Sequence, residues 1–100
     1  MNQIIYHVVT PDYWQQFSEK AAYTPPTFEE EGFIHCCTEA QINYVLTTYF
    51  VGVAEILLLK IDTNLLEAEL KIEPANGQHF PHIYGAINKT AIIAIQKVEQ

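Results

Sequence analysis

Three of the four histidines stand in short apolar runs, where a polar ring is unusual. They are His7, His35 and His82. An imidazole that is buried without a hydrogen-bond partner is costly, and one backbone or side-chain partner for each ring would remove that cost. Three such residues together favour a shared polar cleft instead. Because neutral histidine donates from one ring nitrogen and accepts at the other, this cleft suits both ribose hydroxyls and acid–base chemistry.

Three tyrosines lie near these histidines in the sequence and would complete such a cleft. Tyr6 precedes His7, Tyr84 follows His82 by two residues, and Tyr23 stands before a pair of prolines. Their rings offer faces on which a planar ligand could stack, although tyrosines serve equally well at the edge of a core. We therefore treat all three as candidate ligand-binding residues.

Metal binding and cysteine catalysis are weaker interpretations of the same residues. His79 and His82 have a metal-like spacing, but Pro81 between them prevents a regular helix that would put both on one face, so we expect no metal site. Cys36 and Cys37 are adjacent, and neighbours on a strand point to opposite faces. We predict two reduced thiols, on opposite faces of a strand, with at least one of them buried.

Two polar segments are expected to face solvent. The acidic run 29–31 is interpreted as a solvated loop, with one of its carboxylates turning inward beside Gly32. His79 follows the sequence Asn76-Gly77-Gln78, which is typical of a turn, and should be solvent-facing as well.

The composition excludes several classes of function. The chain has 100 residues, of which 49% are hydrophobic and 17% charged, which suits one globular domain over residues 1–100. The formal net charge is -7 and there is no arginine, so neither a nucleic-acid partner nor an anionic membrane is expected. An anion would have to be bound by backbone N–H groups, lysine or histidine. The absence of a recognisable export signal and of a long apolar segment predicts a cytoplasmic protein.

Two helices are predicted from their capping patterns. The run 10–12 supplies a capping hydroxyl, a proline at the first helical position and an acid in the first turn, which predicts a helix over about 11–21. Thr38 and Gln41 have the spacing of a capping box and predict a second helix over about 39–50.

Strands account for most of the remaining chain. Runs of β-branched and aromatic residues predict strands at 4–9, 33–37, 54–61, 70–73, 80–84 and 91–98. The order is β-α-β-α followed by β-rich sequence. This segregation favours an α+β fold over a doubly wound parallel sheet.

Several strings along the whole chain have a recognisable pattern. They are Ile5-Tyr6-His7-Val8, Tyr23 before Pro25-Pro26, Glu30-Glu31-Gly32-Phe33-Ile34-His35-Cys36 with Thr38, Glu73 after a short strand, and Phe80-Pro81-His82-Ile83-Tyr84-Gly85. In these strings the sequence resembles a small bacterial family known as domain-of-unknown-function family 952.

The resemblance implies a fold similar to that of the ADP-ribosyltransferases, with two antiparallel or mixed β-sheets around a cleft, two short helices, and NAD in the cleft. In those enzymes a histidine on the first strand holds a ribose hydroxyl, a tyrosine stacks on nicotinamide and a late acid orients the reaction. The resemblance accordingly implies the ribose role for His7, the stacking role for Tyr23 or Tyr84, and the acid for Glu73. Related transferases that remove a 2′-phosphate from RNA use arginines, which this chain lacks, so that activity is not expected.

Two functions from different classes remain open. The first is an enzyme or degenerate enzyme, a transferase that binds NAD or an ADP-ribose-like nucleotide, with catalytic residues His7, His35, His82 and Glu73. The second is a non-catalytic small-molecule-binding or interaction module. Whether Glu73 and the three histidines open onto one cavity discriminates between the two functions, because a closed hydrogen-bonded cluster with no cavity would favour the second. A nucleotide bound there should be held by its ribose and base more than by its phosphates, because the chain is acidic and has no arginine.

Overall fold

Eight strands and three α-helices make up residues 3–100, the part of the chain that the computed structural model describes. The strands are β1 (Ile4–Val9), β2 (Ala22–Tyr23), β3 (Ile34–His35), β4 (Glu55–Asp62), β5 (Glu69–Ala75), β6 (Gln78–Tyr84), β7 (Ile87–Asn88) and β8 (Ile92–Glu99). The helices are α1 (Pro11–Gln15), α2 (Phe28–Glu31) and α3 (Ile42–Tyr49), and 3-10 turns occur at Glu39–Gln41, Thr63–Leu65 and Lys89–Ala91. The predicted α+β class is confirmed.

The strands form three small antiparallel sheets. One has the order β1-β4-β8, a second has the order β3-β6-β5, and β2 pairs with β7. β4 is the central strand of the first sheet, which fits its long apolar sequence without turn residues. The β5–β6 hairpin turns at Asn76 and Gly77, whose φ angles of 50° and 79° suit a type I′ turn.

Strand β1 is also bonded to the chain that continues from β3. The N–H of Tyr6 donates to the Cys37 carbonyl at 2.7 Å, and the N–H of Cys37 donates to the Tyr6 carbonyl at 2.8 Å. The next residue back, Cys36, donates its N–H to the carbonyl of Pro81 on β6. The two three-stranded sheets therefore meet at this point, and the residue that follows Tyr6 is His7.

The buried apolar residues form two clusters, and the adjacent cysteines contribute to different ones. Cys36 packs with the cluster that contains Ile5 and Tyr23, whereas Cys37 packs with the cluster that contains Tyr6. Both thiols are free and buried. The prediction that the two side chains lie on opposite faces, with at least one buried, is confirmed.

The first helix and the second strand are shorter than predicted. α1 ends at Gln15 instead of about 21, because the chain continues as i→i+3 turns: Phe17 N–H donates to the Trp14 carbonyl and Lys20 N–H to the Phe17 carbonyl, each at 3.0 Å. β3 covers two residues of the predicted 33–37. Strands β2 and β7, which pair with each other, were not predicted.

All of the helices are short. The predicted second helix begins as a 3-10 turn and continues as α3, and Thr38 N–H donates to Gln41 Oε1 at 3.0 Å, as the capping pattern predicts. α2 is a single turn that ends at Gly32, which agrees with one of the two expectations for 27–32, an acidic turn or a single helical turn ending in glycine. With it, residues 3–100 contain three α-helices, one more than the two predicted from capping patterns. None of the helices in this part of the chain is long and apolar enough to cross a membrane.

Candidate functional site

A cavity of about 600 Å³ lies beside the junction of β1 and β3. Its wall includes His7, His35 and His82 together with Glu31. Six aromatic side chains also line it: Tyr6, Tyr13, Tyr23, Tyr49, Phe50 and Phe80. Glu31 is the only carboxylate among the described lining residues, and none of them is a lysine. The cavity has the size and apolar character of a small-molecule site, with one cluster of histidines and a carboxylate as its polar part.

His7 lies in the middle of β1, and both of its ring nitrogens have partners within the chain. Nδ1 lies 2.7 Å from the His35 carbonyl oxygen, which can only accept, so Nδ1 carries the proton. Nε2 accepts from the Tyr23 hydroxyl at 2.9 Å. Burial lowers the pKa of His7 to about 4 and raises the pKa of Tyr23 well above its usual value, so both are neutral at pH 7. A ligand hydroxyl reaches His7 only by displacing one of these partners.

His82 lies on β6 and is held by a carboxylate from the neighbouring strand β5. Glu73 lies opposite Phe80 across the hairpin. His82 is two residues after Phe80 on β6, so the side chains of Glu73 and His82 are on the same face of the hairpin. The Nδ1–H of His82 donates to Glu73 Oε1 at 2.8 Å, and the Tyr84 hydroxyl donates to the same oxygen. Both hydrogen bonds lower the pKa of Glu73, and the bond from Tyr84 has the larger effect. Glu73 is thus an ionised acceptor that contacts His82 and does not itself line the cavity.

The second ring nitrogen of His82 has no partner among residues 3–100. Nε2 is buried and lacks a hydrogen bond to any described residue, and the residue as a whole is 5% exposed. The ring stacks on Phe33, with centroids 4.2 Å apart and planes inclined by 24°. Because Nδ1–H is bonded to Glu73, a neutral His82 has its lone pair at Nε2. An unsatisfied buried acceptor costs about 1–3 kcal/mol, so a donor supplied by a ligand would gain a hydrogen bond here.

His35 is exposed, and the expectation that it is buried is wrong. Its neighbour Ile34 points into the core, so the next side chain on the extended chain points outward. The side chain of His35 is 55% exposed, and its Nε2–H donates to Glu31 Oε2 at 2.7 Å. The ring lies edge to face against that of His82, with centroids 5.2 Å apart. Two histidines, each bonded to its own carboxylate, therefore meet at the cavity.

Glu31 was not singled out by sequence reasoning within the acidic run. It is the last residue of α2, and Gly32 follows it in the left-handed conformation with φ of 79°. The hydrogen bond from His35 is the largest cause that lowers the pKa of Glu31. The signal in the sequence was the glycine itself, since a left-handed glycine ends a helix and reverses the chain just after its last residue.

The three candidate tyrosines divide into two groups. Tyr6 and Tyr23 line the cavity, whereas Tyr84 does not. Tyr23 is 1% exposed and is surrounded by other rings, among them Tyr13 and Trp14. Its ring faces are already covered within the protein, so its contribution to the site is the hydroxyl group that bonds to His7.

The remaining candidate groups do not form a reactive centre. Among residues 3–100, no group of three or more His, Cys, Asp or Glu residues could hold a metal ion. His79 is exposed, as predicted. Burial raises the pKa of Cys37 to about 11 and that of Cys36 well above its usual value, so neither is a thiolate at neutral pH. The chemistry present at the cavity is hydrogen bonding and proton transfer by histidine.

The fold is similar to that of solved protein CC0527 from Caulobacter crescentus. Its crystal structure is 22% identical to this chain, with a TM-score of 0.83, over 97% of this chain and 85% of that one. Its solution NMR structure is likewise 22% identical, with a TM-score of 0.76, over 96% of this chain and 83% of that one. No match was found among curated proteins.

A family model also matches most of the chain, over residues 8–95. The matched segment contains both histidine–carboxylate pairs, Glu31 with His35 and Glu73 with His82. The chain therefore belongs to the family described as Protein of unknown function (DUF952).

Proposed function

We propose that the cavity binds a small organic molecule of the nucleoside class, with a planar ring and ribose-like hydroxyls, and that a ligand hydroxyl donates to His82. The observation that carries this proposal is the buried Nε2 of His82, which has no hydrogen-bond partner in the part of the chain that the structure describes, although the same ring is held in place by Glu73. A ligand O–H at this nitrogen removes the cost of the unsatisfied acceptor. The aromatic wall of the cavity supplies apolar contact for a planar ring.

The Glu73–His82 pair also supplies a proton acceptor. A carboxylate bonded to Nδ1–H favours the tautomer in which Nε2 is basic, and it stabilises the imidazolium that forms when Nε2 takes a proton. A ligand hydroxyl that is bonded to Nε2 transfers its proton to that nitrogen more readily for that reason. In this proposal His82 is the general base, and Glu73 is a positioning residue that acts through it.

The ADP-ribosyltransferase-like fold and NAD as the ligand belong to the same proposal. They are supported by the position of the cavity, at the junction of two antiparallel sheets with three histidines on its wall. The ribose-binding role falls to His82, because both nitrogens of His7 are occupied. None of the described wall residues is a lysine that could bind the phosphates of NAD. We therefore propose that a ribose and its attached ring make the binding contacts.

A thermal-unfolding panel tests the binding. Nicotinamide and adenosine at millimolar concentration should raise the melting temperature more than pyrophosphate does. Ligand at about one hundred times its dissociation constant adds about 2.7 kcal/mol, which for a domain of this size is a shift on the order of 10 °C. His82→Asn keeps a donor for Glu73 but removes Nε2, so it should lose the shift, whereas His79→Asn on the same strand should keep it. Silence of every compound with the wild-type protein would refute the proposal.

Turnover of NAD separates a transferase from a non-catalytic binding module. Release of nicotinamide from NAD, followed by chromatography, assigns an enzyme if His82→Asn abolishes the release. Binding without release favours the non-catalytic module, which is the second candidate. The specific observation in its favour is that His7, the residue that the resemblance assigns to ribose, is fully bonded within the protein.

A further inference from the structure

Among the described residues of the cavity wall, the one carboxylate and the one buried side-chain atom without a hydrogen-bond partner are both acceptors. Glu31 is a carboxylate, and the bond from His35 is the largest of the causes that favour its ionised form. The buried Nε2 of His82 has no partner and is an acceptor in the neutral ring. Both groups would interact favourably with a ligand that is positively charged or rich in N–H donors.

The lysines of the chain do not offset this negative charge at the wall. None of them lines the cavity. Lys89 donates to the Phe17 carbonyl, and Lys71 lies over the Tyr84 ring at 4.8 Å from its centroid. An anionic ligand would therefore meet Glu31 with no lysine among the described wall residues to balance its own charge.

Aromatic rings form the rest of a cation-binding environment. Tyr6 and Phe80 are both buried and both line the cavity, where they belong to the same apolar cluster. A cation over such a ring is attracted by the negative face of the π-system, and the attraction is stronger where water is excluded. Wall aromatics combined with a single carboxylate therefore match a compact or planar organic cation.

We propose that this cavity selects organic cations over neutral and anionic molecules of the same shape, with Glu31 as the counter-charge. The inference rests on the proposed function, because it names the charge class of the ligand that the same cavity binds. Within the nucleoside class, such ligands are aromatic rings that an N-ribosyl or N-alkyl substituent makes cationic. His35 positions the Glu31 carboxylate at the wall through its Nε2–H bond.

Three ring compounds that differ in charge test the selection. Nicotinamide is neutral, 1-methylnicotinamide is a cation and nicotinate is an anion, while all three share one pyridine ring and a substituent at the same position. Titration calorimetry with the wild-type protein at low salt should give a dissociation constant for the cation about fivefold or more below that for nicotinamide, and no binding of nicotinate. The advantage of the cation should shrink as the ionic strength rises, because Glu31 is partly exposed and its charge is screened.

A pair of charge-removing variants on one helix assigns the effect to Glu31. Glu31→Gln should lower the affinity for the cation to about that for nicotinamide, so that the preference for the cation is lost. Glu29→Gln removes the same charge from an exposed residue of α2 that does not line the cavity, and it should keep the preference. The comparison of the three probes on wild-type protein stands even if Glu31→Gln does not fold.

The outcomes distinguish this inference from the proposed function. If nicotinamide or nicotinate binds as tightly as the cation, the selection is refuted while ligand binding in the cavity stands. If no compound of any charge binds, the proposed function is refuted and the selection with it. A preference for the cation that Glu31→Gln removes and Glu29→Gln retains supports both.

Discussion

The carboxylate of Glu73 accepts the Nδ1–H of His82 across 2.8 Å, which leaves Nε2 as the free nitrogen of that ring. The two residues are nine positions apart and face the same side of one hairpin, whose turn is at Asn76 and Gly77. The most chemically distinctive contact of the site is therefore local in the sequence. His35 reaches the same place from β3, which pairs with β6 so that His35 lies opposite His82.

The tautomer of His82 is the first testable consequence. In a long-range ¹H–¹⁵N spectrum, neutral His82 should show a protonated Nδ1 and an unprotonated Nε2, because the carboxylate of Glu73 can only accept. Glu73→Gln should shift the population toward the tautomer protonated at Nε2, since an amide can donate to Nδ1.

Glu69→Gln is the matched control for this measurement. Glu69 is an exposed residue on the same strand, and its substitution should leave the tautomer of His82 unchanged. A neutral His82 that carries its proton on Nε2 in the wild-type protein would contradict the assignment and remove the basis for a ligand donor at that atom.

The buried His7 makes stability depend on pH in a defined window. Its pKa is about 4 in the folded state against 6.5 for an ordinary histidine, so between these values the unfolded chain binds a proton that the folded chain does not. The contribution of His7 to the free energy of unfolding is therefore fully present above about pH 6.5. It falls by up to about 3 kcal/mol as the pH drops to about 4. Urea unfolding at several pH values across this window measures the loss.

A substitution at His7 separates this effect from that of the carboxylates. His7→Asn should lower stability at pH 7, because the Tyr23 hydroxyl loses its acceptor, and it should flatten the pH dependence across the His7 window. Glu31 and Glu73 have lowered pKa values, so their stabilising contributions are lost only below their usual value of 4.5. An equal slope in wild type and His7→Asn between about pH 6.5 and 5 would show that His7 is not the titrating group.

The strands and the fold class could be predicted because their residues have a strong local pattern. The buried apolar run of β4 and the capping pair Thr38 and Gln41 are patterns within a few neighbouring residues. They correctly predicted a strand and a helix, respectively. The paired strands β2 and β7 have two residues each, which is too short for any hydrophobic period. They exist because tertiary packing brings Ala22 opposite Asn88.

The sequence predicted which histidines belong to the site better than it predicted their hydrogen bonds. Three histidines in apolar runs are visible in the sequence, and all three line the cavity. The partners of His7 lie 28 and 16 residues away, at the carbonyl of His35 and the hydroxyl of Tyr23. Contacts over such separations depend on how the sheets meet, which no local pattern contains. For the acidic run the sequence indicated that one carboxylate turns inward beside Gly32, but it did not indicate that this carboxylate is Glu31.

The adjacent cysteines should be unreactive in the folded protein. Burial raises the pKa of Cys37 to about 11 from 9.0, which lowers its thiolate fraction at neutral pH by about 100-fold, and burial also raises the pKa of Cys36 well above its usual value. Iodoacetamide should therefore label both thiols quickly in denatured protein and very slowly in native protein, as followed by mass spectrometry. Rapid labelling of one thiol in native protein would show that it reaches solvent, contrary to the buried positions of Cys36 and Cys37.

Gly32 links the conformation of the chain to the position of Glu31, and two glycine substitutions separate these effects. Gly32 and Gly77 both have φ of 79° with open space around the site of an added Cβ, so Gly32→Ala and Gly77→Ala should each cost about 1–2 kcal/mol in urea unfolding from backbone strain alone. Only Gly32 adjoins Glu31, and a residue that avoids the left-handed region there would redirect the end of α2 and weaken the 2.7 Å bond between Glu31 and His35. Gly32→Ala should therefore also reduce the affinity for 1-methylnicotinamide, measured by calorimetry, whereas Gly77→Ala should not. Equal affinities in the two variants would mean that the carboxylate of Glu31 does not depend on this turn for its place at the cavity wall.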